Sequence, residues 1–405
     1  MQREEDGSAL QAATYKGHEA IVKLLVKNGA EVNAKGGEYD NALQAAVESY
    51  QGNAVIVKLL LENGAEVNEK GGKYGNALQA ASFKGHKEIV KMLLENGAEV
   101  NAKGGEYGDA LQAALFKGYE AIVKLLLESG AEVNAKGGEY DNALQEASFT
   151  GNEAAIKILL ENGADVNTKG GRYGNALQAA SYEGYEVVVK MLLENGAEVN
   201  AEGGKYGNAL QAAAASHQGD ATIVKLLLEN GAEVNAKGGQ YGNALQAASY
   251  EGNEVIVKLL LENEAEVNAE GGQYGSALQA VSCEGSEAIV KLLLGNGAEV
   301  NAEGGKYGNS LQAASYVGNE AIVKLLLGNG AEVNAQGGTY GNALQAASYR
   351  GNEATVKLLL ENGAEVNAKG GQYENALQAA LYEGNEAIVK LLLENGAEVI
   401  LDKGE

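Results

Sequence analysis

Apolar residues fall along this chain in a pattern that resets about every 33 positions. In the copy from Gly71 to Asn101, a run of small residues, Ala77-Leu78-Gln79-Ala80-Ala81-Ser82-Phe83, ends near Gly85. A second run follows from Lys87 to Glu95, with Ile89, Val90, Leu93 and Leu94 at the spacing of one buried helical stripe. Asn76 stands where an N-cap side chain accepts an orphan N–H. Asn96-Gly97 stops the second run, with the glycine in a left-handed conformation. Gly71-Gly72-Lys73-Tyr74-Gly75 brings three glycines for the positive φ values of a hairpin tip. The pattern predicts a turn–helix–loop–helix unit.

The unit is written twelve times. Its leucine recurs at Leu10, Leu43, Leu78, Leu111, Leu144, Leu177, Leu210, Leu245, Leu278, Leu311, Leu344 and Leu377. A fixed period of this size implies a stacked solenoid without a closed core. Helices this short do not persist alone in water, so each copy depends on its neighbour. One array over residues 1–405 is expected. With helices 8–10 Å apart it would be a rod roughly 110 Å long.

The second half of the unit, G-N/H-E-A-I-V-K-L-L-L-E-N-G-A-E-V-N, closely resembles the ankyrin repeat, and the resemblance covers all twelve copies. It implies an all-α, ankyrin-type solenoid of twelve turn–helix–loop–helix repeats with short hairpin fingers. It also implies a concave face, made of hairpins and first-helix ends, that binds protein. The first half departs from the family's T-P-L-H, giving N-A-L-Q at Asn76 to Gln79, and Tyr74 stands where the family usually has glycine. This G-G-x-Y-G-N-A-L-Q-A-A variant is similar to arrays in fungal nucleotide-binding receptor-like proteins. The ends differ from the rest: Met1 to Asp6 could cover one, and Ile400 and Leu401 could fold back over the other or mark a cut in a longer protein.

Composition narrows the setting. Cys283 is the single cysteine, so no internal disulfide forms; with no N-x-[ST] sequon, the chain is expected to be intracellular and cytoplasmic. The acidic start M-Q-R-E-E-D carries no apolar stretch of a secretory signal, and no run approaches a membrane span. Proline is absent. The net charge of −24 is spread over all the repeats, which disfavours nucleic acid and anionic membrane as partners.

Chemistry finds little purchase. His18, His86 and His217 lie on separate repeats, without metal-ligand spacing, and are expected to serve local hydrogen bonding. Gly71-Gly72-Lys73 is followed by Tyr74, not by Ser or Thr, and no strand precedes it, so it is a turn and no phosphate loop. A periodic chain cannot easily supply a unique catalytic constellation. No enzyme activity, cofactor or metal is expected.

Comparing the copies with one another is more informative. A lysine is constant, as at Lys23, Lys91 and Lys390, and a Glu four residues before it occurs in nine copies, the favourable order on a helix. The residue before the mid-repeat glycine varies instead: Lys16, Gln51, Lys84, Lys117, Thr150, Glu183, Gln218, Glu251, Glu284, Val317, Arg350, Glu383. The hairpin residue before Tyr varies too. Beside the varied site runs an aromatic column of Tyr15, Tyr50, Phe83, Phe116, Phe149, Tyr182, Tyr250, Tyr316, Tyr349 and Tyr382, interrupted by His217 and Cys283. These rings are either contact surface for a partner or structural lids. A second column of hairpin tyrosines, from Tyr39 and Tyr74 to Tyr373, is expected to pack hairpin on hairpin. Two-residue insertions at Val47–Tyr50 and Ala214–His217 should bulge at the inner edge, and Glu264 should hold a left-handed conformation in place of glycine.

The candidate partner-binding residues are therefore Tyr15, Lys16, Phe83, Lys84, Phe116, Lys117, Phe149, Tyr182, Glu183, Tyr250, Glu251, Tyr316, Tyr349, Arg350 and Tyr382. The function expected is a monomeric module that binds a protein or peptide along its concave face. The alternatives are the sensing arm of a larger signalling ATPase, or a structural or artificial scaffold without a ligand.

Overall fold

Repetition of sequence becomes repetition of structure in the computed structural model, which describes residues 8–49, 52–137 and 140–399. Those residues form twenty-four helices in twelve pairs, from Ala9–Tyr15 to Glu386–Glu394. The Asn caps behave as the sequence predicts. Asn76 Oδ1 accepts from Gln79 N–H at 2.9 Å, and Asp109 and Ser276 do the same in their copies at 2.9 and 3.2 Å. In the second helix of the third copy, Ile89, Val90 and Leu93 are buried and Leu94 is half-buried. Each fully buried aliphatic side chain contributes about 1.5–3 kcal/mol.

The helices group into two compact units, residues 1–180 with 187–198, and residues 181–186 with 199–405. In the first, the helix Ala9–Tyr15 packs on Ala42–Glu48, which packs on Ala77–Lys84, then Ala110–Phe116, then Ala143–Thr150. In the second, the same stacking runs from Ala209–Ala214 through Ala244–Tyr250, Ala277–Glu284, Ser310–Val317 and Ala343–Arg350 to Ala376–Tyr382. Alanines at these faces, such as Ala80, Ala81, Ala247 and Ala248, are buried and let the helices approach closely.

Two amide ladders hold neighbouring repeats together. The first belongs to the buried glutamine of N-A-L-Q. Gln246 Nε2 donates to the carbonyls of Ala269, Gly271 and Gly275 in the next hairpin at 3.1, 3.2 and 2.9 Å. The second belongs to the asparagine of E-V-N. Asn68 Nδ2 donates to Gly97 O at 3.0 Å, while its Oδ1 accepts from Glu99 N–H at 2.8 Å. Both satisfy backbone groups that the helix and hairpin ends would otherwise leave unpaired.

The hairpins are tighter than the word suggests. In the third copy, Gly71 N–H donates to Gly75 O at 2.9 Å, a single antiparallel bridge. Gly72 and Gly75 take positive φ of 63° and 102°; Gly71 does not. Several adjacent tips are linked by one backbone bond, as from Gln273 N–H to Gln240 O and from Lys306 N–H to Gln273 O, both 3.1 Å. Glu264 does adopt a left-handed conformation, at φ 66°. The first insertion leaves its helix at seven residues, Ala42–Glu48, after which Ser49 Oγ donates to Ala46 O at 2.9 Å. Tyr50, Gln51 and both proposed end covers, Met1 to Asp6 and Ile400-Leu401, lie outside the described residues.

Candidate protein-binding face

The two aromatic columns of the sequence merge into one. In the first unit, Phe83 from the first helix lies 4.9 Å from hairpin Tyr74 and 4.4 Å from Tyr107 of the next hairpin, centroid to centroid. Tyr107 in turn meets Phe116 at 5.0 Å. Tyr15 stacks on Tyr39 at 4.5 Å, and Phe149 sits 4.5 Å from Tyr140 and 5.6 Å from Tyr173. Hairpin rings thus alternate with helix rings. Such offset stacking adds about 0.5–1.5 kcal/mol a pair beyond burial.

The second unit repeats the arrangement. Tyr182 pairs with Tyr206 at 4.5 Å, Tyr250 with Tyr274 at 4.5 Å and Tyr316 with Tyr340 at 4.8 Å. Tyr349 meets Tyr373 at 4.8 Å and Tyr373 meets Tyr382 at 5.0 Å. Hairpin tyrosines such as Tyr206, Tyr241 and Tyr274 are buried, whereas the helix rings Tyr182, Tyr250, Tyr316 and Tyr349 are half-buried and Tyr382 is exposed. Each helix ring is therefore both a lid over the hairpins and partly exposed at the surface.

The varied polar residues border this strip. Lys16 lies over Tyr15 at 5.5 Å, and Lys84 over Tyr74 at 5.7 Å. Lys117 lies over Phe83 at 4.6 Å and Phe116 at 5.2 Å. Arg350 covers Tyr316 at 4.9 Å. These cation–π contacts flatten long side chains onto the strip and leave their charge at the surface. Glu251 differs. Its side chain is only 7% exposed, with Oε1 accepting from Tyr241 OH at 3.0 Å and Oε2 lying 2.8 Å from His217 Nδ1. Its carboxylate supports the strip from below.

Two copies break the row. The second insertion ends its helix at Ala214 and carries His217 outward to solvent, leaving Tyr206 and Tyr241 facing each other at 6.5 Å. Cys283 fills the other gap, and burial pushes its thiol up to about 12. Burial likewise pushes the neighbouring Tyr307 phenol up to about 12. Neither His18 nor His86 caps its helix, but His86 makes the kind of local bond expected, to the backbone of Val47. His86 is half-buried, and desolvation, with Lys84 nearby, holds its imidazole below the usual range. Among the described residues no group of three His, Cys, Asp or Glu side chains is placed to hold a metal ion.

The opposite side of each repeat is uniform. The constant lysines are exposed, and most pair with glutamates of their own helix, such as Lys291 with Glu287 at 3.4 Å and Lys324 with Glu320 at 3.6 Å. Lys58, Lys91 and Lys390 turn the other way, to Glu62, Glu95 and Glu394, each at 3.9 Å. Exposed pairs of this kind contribute little to stability.

A family model for ankyrin repeats in sets of three matches residues 1–71, 69–137, 110–203, 205–304 and 310–402, which is most of the chain. The chain belongs to the ankyrin-repeat family. Ankyrin repeats are in general protein–protein interaction modules, a role that involves no catalysis by the fold itself. Among solved structures, the crystal structure of the human ASB11 ankyrin repeat domain is 30% identical to this ankyrin chain, covering 55% of it and 97% of that domain, with a TM-score of 0.48. No curated protein matches the chain. Among the described residues no helix of the ankyrin repeats is long and apolar enough to cross a membrane.

The sequence located the rings and their varied neighbours but missed the residues that set their spacing. The hairpin tips and the glutamine ladder do that, and both act between copies.

Proposed function

We propose that this chain is a single ankyrin array, working as a monomer in the cytoplasm, that binds a protein or peptide along the strip of alternating rings. The contact residues would be Tyr15, Lys16, Phe83, Lys84, Phe116, Lys117 and Phe149 in the first unit. In the second they would be Tyr182, Glu183, Tyr250, Tyr316, Tyr349, Arg350 and Tyr382, with Glu251 holding Tyr241 in place. The observation that supports this most is the pairing of a pre-ordered aromatic strip with a variable polar border. Rings already fixed by stacking lose little entropy on binding, and aromatic and Arg side chains dominate interface energies. The uniform lysines of the other side offer no comparable diversity. A net charge of −24 disfavours nucleic acid and anionic membrane.

The test is capture of partners by the full chain from its source cell, identified by mass spectrometry. Tyr182→Ala/Tyr250→Ala/Tyr316→Ala should lose the captured protein, and so should Arg350→Glu, which leaves the ring stack intact. Circular dichroism checks that helix content is kept. Lys124→Ala, on the uniform side, should capture as the parent does. Equal capture by all four proteins would exclude the ring strip as the binding face.

A further inference from the structure

We propose that the ring strip of the first unit receives an acidic segment of the partner in extended conformation, with alternate carboxylates meeting Lys84 and Lys117. The inference rests on the binding face proposed above and names the chemistry it selects.

Charge along the border differs between the units. In the first, the described residues before the mid-repeat glycine are Lys16, Lys84, Lys117 and Thr150, with no acid among them. In the second, the same position holds Glu183, Gln218, Glu251, Glu284, Val317, Arg350 and Glu383, four acids against one cation. At this border position a chain of net charge −24 thus carries cations in the first unit and mostly acids in the second, whereas the hairpin tips beside it include Glu38 and Glu106 in the first. Lys16, Lys84 and Lys117 are exposed. Each lies over a ring at 4.6–5.7 Å. Among the described residues none of the three has a carboxylate within ion-pair distance, whereas Lys73 on the neighbouring hairpin is held by Glu106 at 3.4 Å. Lys84 acts electrostatically on Glu48, whose carboxyl is raised above the usual range by burial. An ammonium already held against a ring presents its remaining donors outward at reduced entropic cost.

Spacing selects the conformation of the guest. Rings in successive copies repeat at 6.1 Å, from Phe83 to Phe116 and from Tyr74 to Tyr107. Alternate side chains of an extended strand face one side about every 6.4–6.8 Å. A polyproline helix repeats a face only every ~9.3 Å. The extended strand is the closer match. A nucleic acid strand would meet the same lysines, but its unbroken charge is repelled by the acidic remainder of the chain.

The probe is a fluorescein-labelled dodecapeptide of alternating Glu and Thr, titrated with the full chain and read by anisotropy. Peptides with Lys or Gln in place of Glu, and a single-stranded oligothymidylate, serve as comparisons. The Glu peptide should bind about tenfold tighter than the Gln peptide and weaken as salt rises. Lys84→Glu/Lys117→Glu should lower its affinity by about tenfold at unchanged helix content, and Lys124→Glu/Lys157→Glu on the uniform side by less than about twofold. Absence of Glu-peptide binding, tighter binding of the Lys peptide or the oligonucleotide, or indifference to Lys84→Glu/Lys117→Glu would each overturn the proposal. If Lys84→Glu/Lys117→Glu still captures a cellular partner that the tyrosine variant loses, the binding face survives and only its acidic preference falls.

Discussion

Gln79 donates its side-chain amide to the carbonyl of Gly108, 29 residues later, at 2.7 Å. The same nitrogen lies 3.1 Å from the carbonyls of Ala102 and Gly104. One buried side chain thus fixes the next repeat's hairpin, and with it the position of Tyr107 between Phe83 and Phe116. Replacing Gln79 by Leu leaves these carbonyls without their donor. A loss of about 1–3 kcal/mol is expected, seen as a lower urea midpoint. Hydrogen exchange should quicken first around Ala102 to Gly108. An unchanged midpoint would show that the glutamine ladder is not what registers the hairpins.

Glu264 occupies a left-handed position, φ 66°, where the other copies have glycine, as at Gly297 with φ 85°. Its carbonyl still accepts from Asn235 Nδ2 at 3.1 Å, so only the side chain is out of place. Glu264→Gly should stabilise the protein by about 1 kcal/mol. Thermal unfolding followed by circular dichroism checks the sign.

Glycines of the same φ class should differ sharply in tolerance. A Cβ at Gly272 would lie 2.0 Å from the carbonyl oxygen of Tyr241, whereas one at Gly297 meets nothing within 4 Å. Gly297→Ala should cost about 1 kcal/mol, the price of the backbone conformation alone. Gly272→Ala must also push apart two hairpin backbones. It should lower the urea midpoint several times as far and disturb the Tyr241–Tyr274 stack in near-ultraviolet dichroism.

His86 is held below its ordinary value of 6.5, first by burial and then by Lys84. The unfolded chain therefore takes up the proton more readily than the folded one. The contribution of the neutral imidazole is full above 6.5 and declines as pH falls below it toward the lowered folded value. Asn stands at the equivalent site in other copies, where Asn152 and Asn253 cap their helices with bonds of 3.0 and 3.1 Å. His86→Asn should add about 0.5–2 kcal/mol by capping and flatten the decline between neutral and mildly acidic pH. Urea titrations at the two pH values decide it.

The helices, their Asn caps, the buried stripe of Ile89, Val90 and Leu93, and the left-handed Glu264 all follow from the sequence. Each depends on residues within a few positions of one another, and local propensity and helical periodicity act over that range. The candidate face was half legible. The rings and their varied neighbours could be counted, but the columns appeared as two. Nothing in a constant period of 33 says which column leans on which, because every pair of columns recurs at the same spacing. Asn68 was invisible as a staple for the same reason, since its partners Gly97 and Glu99 lie in the next copy.

Sequence alone determined the repeating helix pair and the places where its copies are free to differ. Tertiary structure decided that hairpin Tyr107 slides between Phe83 and Phe116, and that Glu251 turns inward to Tyr241 while Lys117 stays outside. The physical reason is that these choices are made by contacts between repeats. Stacking, amide bonding and desolvation there depend on the distance between two backbones, which no single unit can set.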